Sequence, residues 1–481
     1  MPDIRAIQNG TPMTLGRQAA LTAQLAFPTI LAQLSSILMQ YIDTSMVGRL
    51  GADDSASIGL VSTTLWLFWG VCSMMTVGFS VQVAHRVGAK DYSGARDVIR
   101  QSLICILSAS AAIALAGIIL SPYIPRWLGG EPAITSAAST YFMIFAAGLP
   151  LLSLNYMCGG ILRAAGNTRI PAILNIAMCV LDVILNFILI FKSHSVTVSG
   201  YTFVIPGAGL GVTGAAIATV AAECITALLI LYYLTCRQKD LAIRNIPGSF
   251  RPRHAVVKSA VKIATPLTLE HALICGAQIA ITVIVAPLGV VAIAANAFAV
   301  TAESLCYMPG YGIGDAATTL TGQSHGARRP QLVKSFGFMT VGMGMLVMTV
   351  MGVLLYVCAP ILMELLSPVE AISRLGTEVL RIEAFAEPMF AASIVAYGAF
   401  VGVGDTVVPA VMNFVSIWVV RVPLAAIMAP RYGLQGIWIA MCIELCFRGT
   451  IFLWRLFSCR WIKTAAHHDI TPEGVLPPDD F

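Results

Sequence analysis

The sequence predicts an all-α membrane protein with twelve transmembrane helices, arranged as two parallel six-helix repeats around a central cavity. Three observations predict it: a composition starved of charge, twelve long apolar runs, and a set of landmarks that recurs at a constant offset. Hydrophobic residues make up 57% of the 481 and charged residues 11%, with a mean hydropathy of +0.82. A soluble chain carries roughly a quarter charged residues to face water, so lipid is the expected solvent here.

A spanning helix needs about 20 mostly apolar residues to cross a hydrocarbon layer about 30 Å thick. Such runs centre near residues 33, 69, 109, 148, 180, 222, 270, 305, 345, 387, 418 and 446. Around them the chain divides into an N-terminal segment (1–18), a first bundle (19–236), a linker (237–258), a second bundle (259–460) and a polar, disordered tail (461–481). The first 18 residues are polar and carry Arg5 and Arg17, and the apolar run after them is too long for the core of a cleavable signal. The twelve cysteines form no CxxC pair. Cys442 and Cys446, one turn apart, read as packing residues rather than ligands.

Lys and Arg concentrate in cytoplasmic loops of membrane proteins. The loops after the even-numbered runs hold fifteen, from Arg86 to Lys334, against five after the odd-numbered runs. Both termini therefore belong on the cytoplasmic side, and the number of spans is even. The basic residues are topology signals, not a nucleic-acid footprint.

Shifted by 238 residues, the chain meets itself. Pro28 falls on Pro266, Gly51 on Gly289, Gly88 on Gly326, Pro150 on Pro388, Asn167-Thr168 on Asp405-Thr406, and Asn175 on Asn413. Beyond that point Gly211 and Gly214 match Gly433 and Gly436 at a shift of 222, so the first half carries a 16-residue insertion around 192–208. Six spans per repeat make the repeats parallel. Proteins built this way place substrate near the membrane midplane between the halves and rock one half against the other. Pro28 and Pro266 each remove a helical hydrogen bond, as a fixed kink or as a hinge.

The stretches Asp43-Thr44-Ser45-Met46-Val47-Gly48-Arg49, Leu162-Arg163-Ala164-Ala165-Gly166-Asn167-Thr168 and Gly211-Val212-Thr213-Gly214-Ala215-Ala216 resemble motifs of the multidrug and toxic compound extrusion (MATE) family. So do Met308-Pro309-Gly310, Gly322-Gln323, Gly402-Val403-Gly404-Asp405-Thr406 and Val420-Arg421-Val422-Pro423. The resemblance covers about residues 20 to 455. It implies two bundles in a V around a cavity, and antiport of drug-like, often cationic compounds against protons or sodium. It is closer to the DinF-like branch.

Ionisable groups in apolar helices are costly and mark ion or substrate paths. Gln33, Ser36, Gln40 and Asp43 form one polar stripe on the first helix. Asn175, Asp182 and Asn186 share a face of the fifth. The resemblance assigns the coupling pair of the first half to Asp43 and Asp182, with Tyr141 and Thr219 in the same network; a satisfied interior polar network is the plainer reading. The DinF-like branch has Asn one turn before the helix-5 Asp, where this chain has Met178. Glu270 stands where the NorM-like branch has a functional acid, and Phe390 where that branch has an Asp. Glu387 and Glu383 are one turn apart in the tenth run, and Asn296 and Glu303 share a face of the eighth. We assign Gln33, Gln40, Asn175, Asn186, Asn296, Glu303 and Glu387 to the substrate cavity, with Arg381 and Arg421 as alternative salt-bridge partners of the helix-10 acids.

The coupling ion is then H⁺, or Na⁺, and no other cofactor is implied. A carboxyl at low dielectric favours its neutral form, so proton uptake by Asp43 would loosen its hold on a cationic substrate. The partners are a small-molecule substrate and membrane lipid, with the chain a monomer in a bacterial-type inner membrane. Two alternatives stand beside the exporter: a lipid-linked oligosaccharide flippase of the same superfamily, and a membrane-embedded enzyme. HExxH, GxSxG and GxxxxGK[ST] are all missing, which argues against the enzyme and against ATP as the energy source.

Overall fold

The computed structural model describes residues 4–198, 201–244 and 246–462. A short helix α1 (Arg5–Gln8) precedes α2 (Leu15–Gly48), α3 (Ala52–Gly88), α4 (Tyr92–Leu120), a short α5 (Ile124–Trp127), α6 (Pro132–Ala164) and α7 (Arg169–Ile190). Strands β1 (Lys192–Val198) and β2 (Tyr201–Ala208) follow, then α8 (Gly211–Tyr232), α9 (His254–Val285), α10 (Val290–Gly326) and α11 (Pro330–Leu366). The chain continues with α12 (Glu370–Ala384), α13 (Glu387–Gly402), α14 (Val407–Phe414), a π-helical stretch Val415–Arg421 and α15 (Val422–Ser458). Except for residues 461 and 462, the predicted tail lies outside the described residues.

Among the described residues, ten helices are long and apolar enough to span, and the pair α12 and α13, bent by 59°, makes an eleventh. The twelfth is hidden in the longest. Residues 407–458 run for 52 residues, which would extend ~78 Å as one helix, more than twice the hydrocarbon thickness. Gly433 breaks that run at φ 59°, ψ −141°. Its repeat mate Gly211 also has a positive φ, 56°, where α8 begins. Twelve spans result, and every predicted centre falls inside one.

The repeat is visible in backbone detail. Gly166 and Gly404 both turn at φ 85°. Lys90 and Arg328, again 238 apart, are two of the three non-glycine residues with positive φ among the described residues. The 16-residue insertion is the antiparallel hairpin β1–β2, in which Thr197 pairs with Thr202 and Val198 with Tyr201.

Apolar residues fill the interior and also cover the outside. Along α11, Leu346, Val357, Ile361 and Leu365 are more than half exposed, forming a face suited to acyl chains. Asp182, Glu270, Glu383 and Glu387 are buried. Such polar groups persist inside because helices from one bundle surround them.

The halves meet through small residues, the usual device for close helix approach in lipid. Gly88 of α3 packs on the Gln323 backbone and Gly326 of α10 on that of His85. Around this crossing, Gln323 Nε2 donates to the Ala164 carbonyl at 2.7 Å, the His85 ring nitrogen lies 2.8 Å from the Gly402 carbonyl, and Arg163 pairs with Asp315 at 3.7 Å. The His85 and His325 rings stand 4.7 Å apart. The N-terminal segment straps the same end. Arg329 donates to the carbonyls of Ala6, Ile7 and Thr11, Gln8 accepts from Tyr92, and Ile7 is fully buried. Helix α2 accordingly starts at Leu15, before the predicted boundary at residue 19.

A Cβ at Gly326 would sit inside contact distance of the His85 carbonyl oxygen, whereas one at Gly342 on α11 meets nothing within 4 Å. Gly326→Leu is therefore expected to cost about 1–3 kcal/mol through overpacking, and Gly342→Leu next to nothing. Thermal melts of the two purified variants check this; equal melting temperatures would refute the tight crossing.

Candidate proton and cation site

In the first half, the polar faces of α2 and α7 meet. Asn186 sits one turn after Asp182 on α7, and its Nδ2 donates to Asp43 Oδ1 at 2.8 Å and to Asp182 Oδ2 at 3.0 Å. Asn186 thus bridges the two carboxyls, which are near enough to act on each other electrostatically. A proton or another cation would offset the repulsion of two carboxylates held in this way. Asp182 and Asn186 are each 1% exposed, while Asp43 is half-buried, so Asp43 is the member open to the space beside α2. Thr219 of α8, whose hydroxyl donates to Ala215, faces Asp182, and Tyr141 of α6 faces both aspartates.

Two turns along, Asn175 Nδ2 donates to Ser36 Oγ at 2.9 Å and to the Ala32 carbonyl at 3.1 Å. The stripe on α2 is therefore used at Ser36 and Asp43. Gln33 is half-buried and Gln40 exposed on the same helix. One turn along the same face of α8, Glu223 accepts from Asn155 of α6 at 2.6 Å. Asn155 was not singled out in the sequence, although a lone Asn in the apolar run around it was a readable signal.

The second half has a different constellation. Glu270 on α9 accepts from Tyr397 of α13 at 2.6 Å and from Asn413 of α14 at 2.5 Å. Asn413 is the repeat mate of Asn175, and Glu270 that of Ala32, so one asparagine contact is made in both halves to different acceptors. The mates of Asp43, Asp182 and Asn186 are Ile281, Val420 and Leu424. The aspartate pair therefore belongs to the first half alone. At the predicted helix-10 position, Phe390 lies under the Arg448 guanidinium at 5.6 Å.

Glu303, Glu383 and Glu387 gather around the bend between α12 and α13. Among the described residues no N–H or O–H donates to either carboxyl of Glu383 or Glu387. Their neighbours are each other, the Cys306 thiol beside Glu387, and Arg421, which faces Glu303 and Glu383. Arg381 is not a partner: it donates to the Tyr356 carbonyl and stacks on that ring. Arg448 forms a two-pronged pair with Glu444 at 2.8 and 2.9 Å, joined by Ser416 from the π-helical stretch. Asn296 accepts from Trp438 at 3.0 Å, which ties it to the last span rather than to Glu303. Pro28 and Pro266 lie inside unbroken helices. Just past Pro28, Thr29 donates across to Gly312 of the other half at 3.0 Å.

The MatE family model matches the chain twice, over residues 28–188 and 266–427. The chain belongs to the MatE family. The starts of the two matches are 238 residues apart (266 − 28), the offset of the internal repeat, so each half is one MatE unit. The chain is 25% identical over 446 residues to the probable multidrug resistance protein NorM of Thermotoga maritima, covering 92% of this chain and 93% of that one. A NorM-named protein of Burkholderia mallei is 28% identical over 459 residues, with 92% and 93% covered. Among solved structures, a MATE protein in complex with MaL6 superimposes with a TM-score of 0.85 at 21% identity, covering 96% of this chain and 99% of that one. This is the MatE fold of twelve helices in two repeats, and the chain is a multi-pass membrane transporter rather than an enzyme.

Proposed function

We propose that this MatE chain is a secondary antiporter that exports drug-like, cationic organic compounds in exchange for protons. The reading rests on one observation: two carboxyls on different helices of the first half, bridged by Asn186, with Asp43 half-exposed and Asp182 buried. Asp182 Oδ1 and Asn186 Oδ1 are buried without a donor among the described residues, and they are the acceptors a proton or small cation would use. Protons are preferred to sodium because the second half has Phe390 and Val420 where a matching carboxylate set would need oxygen ligands. The relatives named for multidrug resistance supply the substrate class.

In this reading a cationic substrate is held by charged Asp43. Proton uptake cancels that charge, releases the substrate and re-pairs Asp43 with its neighbours on α7. The halves then part at the end strapped by α1, which the loop charge assigns to the cytoplasm of a bacterial-type inner membrane. The proline helices α2 and α9 cross that interface and are the natural hinges. The chain works as a monomer.

The test is efflux of a fluorescent lipophilic cation from proteoliposomes under an imposed pH gradient, then under an imposed sodium gradient. A pH gradient alone is expected to drive transport. Transport driven by sodium alone would replace the coupling ion, and movement under neither gradient would replace the substrate class with the lipid-linked oligosaccharide of a flippase.

A further inference from the structure

Outside the transport site, a groove of about 610 Å³ runs along the lipid-facing seam between the two halves. One wall is a face of α11 from the second half, carrying Lys334, Ser335, Phe338, Gly342 and Leu346. From the first half, Leu15 at the start of α2 alone completes the lining. These positions on α11 recur at spacings of three and four, one continuous face of a helix. They also change character along it. Lys334 and Ser335 lie one turn inside the helix end, and everything deeper is apolar. From Lys334 to Leu346 the groove runs ~18 Å at helical rise, slightly more than the ~15 Å of hydrocarbon in one leaflet.

Three features bear on what this groove would hold. Gly342 leaves open space where any side chain would stand, with nothing within 4 Å of its Cβ position. A bond joins the halves at Ser335, whose Oγ donates to Gln18 Oε1 at 2.5 Å. The Lys334 ammonium is held 5.9 Å from the Phe338 ring, and no carboxylate pairs with it among the described residues. A cation at the water end and an apolar trough of one-leaflet length are complementary to an anionic amphiphile.

We propose that this seam groove binds an anionic phospholipid, with its phosphate on Lys334 and one acyl chain laid over Phe338, Gly342 and Leu346. The lipid touches Leu15 on one half and α11 on the other, at the end where Gly88 and Gly326 cross. It therefore acts as a clamp, favouring the conformation in which that end is closed.

The full chain is purified into nanodiscs of phosphatidylcholine with graded phosphatidylglycerol, and retained lipids are counted by native mass spectrometry beside a thermal melt. Wild type is expected to retain phosphatidylglycerol over phosphatidylcholine on the order of fivefold, the effect of one lysine near an anionic headgroup, and to melt higher as its share rises. Lys334→Gln should lose the preference but keep a bound lipid. Gly342→Leu should lose the lipid itself while melting normally in phosphatidylcholine. The proposal is overturned if wild type shows no preference, if Lys334→Gln keeps it, or if Gly342→Leu retains as much lipid as wild type. A concentration-dependent dimer that Gly342→Leu dissolves would give the groove to a second copy instead.

Discussion

Asp43→Asn is expected to reduce pH-driven efflux to the level of protein-free vesicles while leaving the protein folded. Asparagine keeps the size of the side chain and still offers an oxygen to Asn186 Nδ2, which now bonds Asp43 Oδ1 at 2.8 Å. What disappears is the ability to take and release a proton at the half-exposed end of the pair. A ligand that interacts equally with both conformations shifts nothing, and without that proton no coupling free energy remains. The variant should still bind the lipophilic cation, more weakly, and its affinity should no longer depend on pH. Asp182→Asn is the informative companion. Asp182 is buried and reached through Asp43, so its loss should also stop coupled efflux but leave a pH-dependent affinity, because Asp43 still titrates. Efflux by Asp43→Asn with unchanged pH dependence would remove Asp43 from the mechanism and shift attention to the glutamates of the second half.

Much of the architecture was legible because lipid imposes it. The length of an apolar run is set by the bilayer, so the twelve spans could be counted, and the repeat offset emerged from glycines and prolines that the backbone requires. Asp43 and Asp182 were legible because a carboxyl in an apolar run is conspicuous. Their bridge was not, since Asn186 touches both only once α2 and α7 are packed. Tyr397 escaped notice because an aromatic in an apolar run reads as packing, yet its hydroxyl holds Glu270. The insertion was located to within a residue or two at each end. Its hairpin carried an unread signal, alternating residues on both sides of Ser199-Gly200. The break between α12 and α13 was also unread, although Pro388 stands just beyond it.

The buried pair Asp405–Arg455 is expected to be the most costly structural contact to break. Asp405 belongs to the turn after α13, and Arg455, near the end of α15, donates to it through Nε and NH2. Both are nearly buried, and the guanidinium also lies 5.7 Å from the Phe400 ring. Arg455→Met keeps the aliphatic bulk but takes the guanidinium away from a buried carboxylate, a change that costs about 3–5 kcal/mol for buried pairs. It should appear as a large fall in melting temperature and in membrane yield. The first half shows what a neutral version looks like. Asp405 falls on Asn167 at the 238 shift and Arg455 on Tyr233 at the 222 shift, and Asn167 Nδ2 reaches both the Tyr233 hydroxyl at 3.4 Å and Gln238 at 3.1 Å. Each half thus ties the turn after its fourth span to the end of its sixth, once with charge and once without. Transplanting the neutral pair, Asp405→Asn with Arg455→Tyr, should recover more than half of the stability that Arg455→Met loses, because the buried carboxylate goes together with its guanidinium. If the double variant is as unstable as Arg455→Met, the neutral pair does not replace the charged one and the two turns are equivalent in backbone only.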